Sequence, residues 1–277
     1  MEKTINQKLG YIRPGQVDGS IEMAGLFDKW YHRTAQLNKE ETDNDGHYGL
    51  VCDGLMSKPN MDDVMLEKKW WKAPMRIAFL MKDQNQGGYI YNTDARKWLC
   101  QKEEAWELSD KTFHHIANIL WGIIHTNENN LCLPGDMSQK FDEIKECFQE
   151  TPFAYIECKK QGGISELGGN KLKPYLIDYK DLLYMEFDIL RPNVFVCTND
   201  KIYEFVQEYI INKYPGTELT RVHLKKHNSI RLHLPSKTII LLGYHPTAPG
   251  SYGSIYDSYM DHYRAFVQSP YYEEFFK

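Results

Sequence analysis

The stretch MRIAFLM, at residues 75–81, follows Pro74 and runs into the polar segment KDQNQGG, at residues 82–88. A short apolar run without polar alternation is typical of a strand that is buried on both faces of a parallel sheet. Three comparable runs come later in the chain, at residues 153–158, 194–198 and 238–242. We therefore predict four buried strands, each followed by a polar or glycine-containing turn.

Segments with helical spacing of apolar residues separate these strands. They lie at residues 109–125, 138–149, 175–190, 202–214 and 255–267. Strands that alternate with helices predict a parallel sheet with right-handed crossovers. The predicted fold class is α/β, with three layers (α/β/α) around a central, mainly parallel, four-stranded sheet.

The beginning of the chain has a different character, because it is polar and broken by turn residues. Two short helices are predicted there, at residues 20–31 and 63–70, and an acidic loop is predicted at residues 38–49. We predict that residues 1–70 form an N-terminal extension packed on the core. Residues 71–277 are predicted to form the α/β domain.

Charge and cysteine content limit the class of protein. The formal net charge of −5 excludes a protein that coats nucleic acid through bulk positive charge. The cysteines form no CxxC pair, so we expect a reducing, cytoplasmic location and no locally held zinc or iron–sulfur site. No apolar run reaches the length of about 18 residues that spans a bilayer. We therefore expect no metal, no cofactor and no membrane partner, and the oligomeric state stays open.

Residues with catalytic side chains stand at the ends of the predicted strands. Ligands of parallel α/β sheets bind beyond the carboxyl ends of the strands, and Asp83, Glu157 and His245 each lie at such an end. A carboxylate, a second acidic group and a histidine that meet in one crevice make a general acid–base constellation. The alternatives are structural. Asp83 or Asn85 then caps a helix or closes an Asx-turn, while Glu157 pairs with a lysine and His245 is a hydrogen-bonded turn residue.

Four segments carry a resemblance to a known family. They are RIAFLMKDQN at residues 76–85, PFAYIECKKQGG at residues 152–163, DILRPNVFVCTND at residues 188–200 and LLGYHPTAPGSYG at residues 241–253. Together, and in this order, they resemble the uracil-DNA glycosylase superfamily, and most closely its poorly characterised bacterial branch. The resemblance covers about residues 75–267, and it implies the three-layer fold of that family.

The resemblance also implies roles for individual residues. It assigns Asp83 as the water-activating carboxylate and His245 as the histidine that contacts the base carbonyl and stabilises the leaving base. Base-binding roles fall on Asn85, Glu157 and a stacking ring from Tyr89 or Tyr91. DNA-facing roles fall on Pro246 and Thr247, in the turn after the fourth strand, and on Tyr252 as a wedge in the duplex. The first motif departs from the family pattern, because KDQN has no glycine before and no proline after the aspartate.

Glu157 is the second departure, since the family carries a base-reading asparagine at this position. An ionised carboxylate only accepts hydrogen bonds, so it favours an exocyclic amine such as N4 of cytosine over the oxygen O4 of uracil. Protonation through burial would restore a donor, at the cost of a large upward shift in pKa. We therefore expect an altered or modified base, or a lost activity, instead of efficient excision of plain uracil.

Contacts with DNA are expected from local basic clusters. Lys225 and Lys226 belong to the basic segment at residues 221–233, and Lys159 and Lys160 follow the second motif. The alternative for each cluster is ordinary solvated surface charge. The predicted partner is DNA, single-stranded or carrying a modified base.

Three functions are compatible with these patterns. The first is a DNA glycosylase-like hydrolase of base-excision repair, which cleaves the N-glycosidic bond of a flipped base. The second is a non-catalytic nucleic-acid or nucleobase binding protein that retains the fold. The third is an enzyme that acts on free nucleosides or nucleotides.

Overall fold

A computed structural model describes residues 18–37, 49–85, 93–163, 169–222 and 230–276 of the chain. The strands in these ranges are β1 (Val51–Cys52), β2 (Gly54–Leu55), β3 (Ile77–Asn85), β4 (Thr93–Asp94), β5 (Ala154–Gly163), β6 (Val194–Cys197), β7 (Thr220–Arg221), β8 (Ile230–His233) and β9 (Thr238–Leu242). The α-helices are α1 (Asp18–Leu37), α2 (Asp63–Lys72), α3 (Trp98–Gln101), α4 (Glu103–Trp106), α5 (Lys111–His125), α6 (Phe141–Glu150), α7 (Gly169–Asp178), α8 (Lys180–Leu190), α9 (Asp200–Lys213), α10 (Tyr252–Val267) and α11 (Tyr271–Phe276).

The main sheet has seven strands in the order β2-β5-β3-β6-β9-β8-β7. The four apolar runs form its centre, where β5, β3, β6 and β9 are mutually parallel. The α/β class and the four parallel strands are thus confirmed. The prediction of a four-stranded sheet is incomplete, because β2, β8 and β7 extend it on both sides as antiparallel strands. A separate two-stranded sheet pairs β1 with β4.

Helices cover both faces of the main sheet because successive strand residues point to opposite sides. Phe79 and Met81 of β3 pack into a core with α5, α6 and α10. Ala78 and Leu80 of the same strand pack into a second core with α1, α7, α8 and α9. Burial on both sides explains why the central strands are continuous apolar runs.

The helices follow the predicted spacing with one exception. The single helix predicted at residues 175–190 is two helices, α7 and α8, which meet at Tyr179. The Tyr179 ring is buried and stacks on Trp30 of α1, with 5.5 Å between ring centroids. None of the helices in the described ranges has the length and apolar character needed to cross a bilayer.

The part of the chain before residue 70 is joined to the sheet. Helix α1 packs against α8, and β2 forms the antiparallel neighbour of β5. Most of the acidic loop predicted at residues 38–49 lies outside the described residues. The described part of the predicted extension therefore supplies an edge strand and a covering helix to the α/β domain.

Candidate functional site

A cavity of about 710 Å³ opens at the carboxyl ends of β3 and β5, beside the loop that follows β9. Asp83 from β3, Glu157 from β5 and His245 from the loop after β9 all line this cavity. The structure therefore brings together the three side chains that the sequence places at separate strand ends. Glu157 is 1% exposed, whereas Asp83 and His245 are half-buried, so Glu157 lies deepest.

The strand register explains how the two carboxyl groups meet. Strands β3 and β5 run in parallel, with Met81 opposite Glu157 and Asp83 opposite Lys159. Residues two apart on a strand share a face, so Asp83 lies on the same face of β3 as Met81. The cavity therefore takes its acidic groups from two neighbouring strands.

The turn after β9 brings His245 to the same place. A Cβ atom on Gly243 would lie 2.5 Å from the ring of Tyr259, so only glycine lets the chain pass the ring this closely. The Tyr259 hydroxyl donates to the carbonyl oxygen of Tyr244 at 2.7 Å. These contacts hold the backbone just before His245 against helix α10.

Hydrogen bonds and burial together define the tautomer and the charge of His245. The backbone N–H of Thr247 donates to Nδ1 of His245 at 3.2 Å, and the Thr247 hydroxyl oxygen lies 2.8 Å from the same nitrogen. A backbone N–H only donates, so Nδ1 is an acceptor and the neutral ring carries its proton on Nε2. Burial lowers the pKa of His245 to about 4, and the charge of Lys82 acts in the same direction. His245 is therefore a neutral N–H donor at physiological pH.

Asp83 has a milder environment. Desolvation raises its pKa, and the positive charges of Lys159 and Lys82 oppose that rise. The two lysines thus favour the ionised carboxylate beside the neutral histidine. An ionised acid next to a neutral imidazole donor is a pair with separate chemical roles.

Glu157 differs from both. Burial raises its pKa to about 8 and the nearby Asp53 and Asp83 add to the rise, whereas the hydrogen bond from Tyr155 and the charge of Lys160 oppose it. The Tyr155 hydroxyl donates to Oε1 of Glu157 at 3.0 Å. The backbone N–H of Glu157 donates to Oδ2 of Asp53 at 2.6 Å. The surroundings therefore favour the protonated, uncharged side chain at neutral pH.

Aromatic side chains form another part of the cavity wall. Trp98, Phe113 and Tyr155 line the cavity, and the Trp98 ring centroid lies 6.4 Å from that of Phe113 and 5.7 Å from that of Tyr155. This wall is not predicted from the sequence, because helical spacing marks Phe113 as a core residue and nothing marks Trp98. The predicted stacking residues Tyr89 and Tyr91, and the side chain of Asn85, lie outside the described residues.

Charged groups complete the lining. The cavity includes Lys82, Lys102 and Asp110. The ammonium of Lys102 lies 5.3 Å from the Trp98 ring centroid. The Asp110 carboxylate accepts hydrogen bonds from the backbone N–H groups of Thr112 and Phe113, which caps helix α5. The lysines are the cationic part of the site.

Lys159 and Lys160, which the sequence predicts to contact DNA, are buried in the sheet. Strand β5 continues to Gly163, five residues beyond its predicted end at residue 158, so both lysines belong to the sheet and not to a surface loop. Lys160 has no exposed side-chain surface, and its ammonium lies 2.6 Å from Asp53 Oδ1 and 2.8 Å from Glu186 Oε2. Lys159 is 6% exposed, and its ammonium donates to the carbonyl oxygen of Gln161. Both lysine side chains are therefore part of the interior and not of an exposed basic cluster.

The remaining predicted DNA-facing residues lie in several places. Pro246 is buried and Thr247 is exposed beside the cavity. Tyr252 is 46% exposed at the start of α10, where its ring stacks on His114 with 4.6 Å between centroids. Lys225 and Lys226 lie outside the described residues.

Among the residues that the structure describes, no cluster of three or more histidine, cysteine, aspartate or glutamate side chains has the geometry to hold a metal ion. No protein-family model, curated protein or solved structure matches the chain.

Proposed function

We propose that the chain is a glycosylase-like hydrolase that cleaves the N-glycosidic bond of a flipped, altered base in DNA, as in the uracil-DNA glycosylase superfamily. One observation carries the proposal: Asp83, Glu157 and His245 line a single cavity with an aromatic wall. A planar heterocycle fits such a wall, because aromatic rings stack on the faces of bases. The target nucleotide leaves the duplex stack at a cost that is lowest for damaged or mismatched bases.

The reaction separates charge, and the site has a group for each sign. As the glycosidic bond breaks, its electron pair leaves with the base and positive charge develops on the sugar. An ionised Asp83 orients water toward the sugar carbon, accepts the proton of that water and stabilises the cation. His245 donates from Nε2 to the base oxygen that gains negative charge. Preorganised donors of this kind contribute roughly 3–4 kcal/mol to the transition state.

A second candidate is hydrolysis of free nucleosides or nucleotides. The burial of Lys159 and Lys160 favours it, because it removes two of the predicted contacts with a DNA backbone. Lys82 and Lys102 line the cavity itself, where their charges suit a phosphate carried by a small substrate. Turnover of a nucleotide without a polynucleotide distinguishes this candidate from the first.

The decisive experiment measures base release. Purified full-length protein is incubated with single- and double-stranded oligonucleotides that carry uracil, mismatches or modified cytosines, and separately with free nucleosides and nucleotides. Release of base from an oligonucleotide supports the first candidate, and release from small substrates alone supports the second. Binding without any release overturns both in favour of a non-catalytic binding protein.

Substitution of Asp83 connects any activity to the site. We expect Asp83→Asn to reduce turnover by about 100-fold or more while the affinity for substrate persists. Asp142→Asn, on the exposed surface of α6, is the matched control and is expected to leave turnover unchanged. Full activity in Asp83→Asn would remove this residue from the mechanism.

A further inference from the structure

The carboxyl group of Glu157 is only half satisfied. Oε1 accepts from the Tyr155 hydroxyl at 3.0 Å, whereas Oε2 is buried and has no hydrogen-bond partner among the described residues. Both Glu157 and Tyr155 line the cavity. A buried polar atom without a partner is costly, and one at a cavity wall is explained by a ligand that supplies the missing bond.

The charges around Glu157 oppose its ionisation. Asp53 accepts from its backbone N–H, and Asp83 faces it from β3 across the strand pair. Two lysines follow on β5: the ammonium of Lys159 donates to the carbonyl oxygen of Gln161, and that of Lys160 is already shared between Asp53 and Glu186. The Tyr155 hydroxyl and the neutral His245 bring no positive charge. Lys82 also lines the cavity, where its charge acts on Asp83 and His245. An ionised Glu157 would therefore add a negative charge beside two other carboxyl groups, at a buried position.

We propose that Glu157 reads the base as a neutral carboxylic acid, with Oε1 accepting from Tyr155 and the proton on Oε2 donated to a ring carbonyl oxygen of the ligand. This inference rests on the proposed function and names its substrate class: a heterocycle that presents a carbonyl, and not an amine, to the deep end of the cavity. The sequence alone favours a base that presents an exocyclic amine, because a glutamate is ordinarily ionised at neutral pH.

Selectivity then depends on the protonation of one residue. Below about pH 8, the value to which burial raises the pKa of Glu157, the side chain donates and a ring carbonyl is preferred. Above it, the carboxylate only accepts, so an exocyclic amine is preferred. Glutamine at this position both donates and accepts at every pH, so Glu157→Gln removes the pH dependence without removing the polar group.

The test measures ligand preference by calorimetric titration of the full chain with uridine and cytidine as probes, at about pH 6 and about pH 9. We expect uridine to bind about tenfold more tightly than cytidine at the lower pH. The preference should shrink or reverse at the higher pH in the wild type, and it should stay constant in Glu157→Gln. Equal pH dependence in both proteins, or no binding of either nucleoside, overturns the reading role.

A second measurement needs no ligand. Infrared difference spectra of the wild-type protein near neutral pH should contain a protonated-carboxyl C=O band that is lost in Glu157→Gln. Absence of this band in the wild type overturns the neutral acid, whatever the titrations show. If the protein releases no base from any substrate but shows the pH-dependent preference, the proposed hydrolysis fails and this inference stands. If it releases base with a preference that pH does not change, this inference alone fails.

Discussion

The ammonium of Lys160 lies 2.6 Å from Oδ1 of Asp53, and neither side chain has any exposed surface. Asp53 lies between β1 and β2, in the part of the chain that the sequence marks as an extension, and Lys160 lies in the central sheet. Glu186 of α8 is the second carboxyl group on the same ammonium. The charge of the sheet residue is therefore neutralised by groups from two other parts of the chain.

Replacement of Lys160 is expected to destabilise the fold. Lys160→Met leaves the carboxyl groups of Asp53 and Glu186 buried without a cation, so we expect the free energy of unfolding to fall by about 3–5 kcal/mol. Urea denaturation measures the change. Lys180→Met is the control, because the exposed pair of Lys180 with Glu208 is worth less than about 1 kcal/mol. Equal stability of the two variants would contradict the structural role of Lys160.

The protonation of His245 predicts the shape of the pH–activity profile. Its pKa of about 4 keeps the ring neutral, so we expect no change in kcat/KM between about pH 6 and pH 7, where an unperturbed histidine titrates. The acid limb is set by Asp83, whose pKa burial raises. The alkaline limb begins near pH 8, as Glu157 ionises. A midpoint near 6.5 that is absent from His245→Ala would show that the His245 ring titrates in the ordinary range of histidine.

Removal of the His245 donor tests its contribution to the rate. His245→Ala is expected to lower kcat by about 10²–10³, because the Nε2 proton no longer stabilises charge on the leaving base. Steady-state kinetics on the substrate found by the base-release assay measures the effect. His32→Ala, on the exposed face of α1, is the matched control. A drop confined to KM would make His245 a binding group and not a transition-state donor.

The buried Glu157 also predicts how stability depends on pH. Its pKa is about 8 in the folded chain and 4.5 as its ordinary value. Between these values the unfolded chain releases a proton that the folded chain retains. The contribution of Glu157 is thus fully present below about pH 4.5 and is lost as pH rises to about 8, at up to about 1.4 kcal/mol per pH unit.

Glu157→Gln abolishes this dependence. Relative to the wild type, we expect the variant to become progressively more stable between about pH 5 and pH 8. Chemical denaturation at several pH values gives the difference in unfolding free energy. A difference that stays constant with pH would mean that Glu157 is ionised in the folded protein.

Gly243 is expected to control both stability and the position of His245. A methyl group there would lie 2.5 Å from the Tyr259 ring, so Gly243→Ala forces the ring or the turn to move. We expect a loss of about 1–3 kcal/mol in stability together with reduced turnover. Gly135→Ala is the control, since a Cβ on Gly135 has no atom within 4 Å. Unchanged activity in Gly243→Ala would show that the turn tolerates the shift.

The sequence predicts the centre of the fold because strands that are buried on both faces have a recognisable apolar pattern. It does not predict β2 and β7, since two residues carry no periodicity. The end of β5 is missed for a different reason. Polar residues such as Lys160 resemble a loop until Asp53 and Glu186, far away in sequence, are known to neutralise them.

The candidate site, too, is predictable from the sequence only in part. The convergence of Asp83, Glu157 and His245 follows from the rule that parallel strands present their carboxyl ends at one edge of the sheet. Trp98 comes from helix α3, outside any strand end, so its place in the cavity wall depends on tertiary packing. The uncharged state of Glu157 also depends on packing, because it requires neighbours from several elements.

The main sheet ends on each side in a strand of two residues, β2 on one side and β7 on the other, within the described part of the chain. An outer strand offers unpaired N–H and C=O groups on which a second molecule is able to build a continuous ladder. An outer strand of only two residues offers too few of these groups for another molecule to add a strand to it. We therefore expect the folded protein to resist β-mediated aggregation at the margins of its sheet.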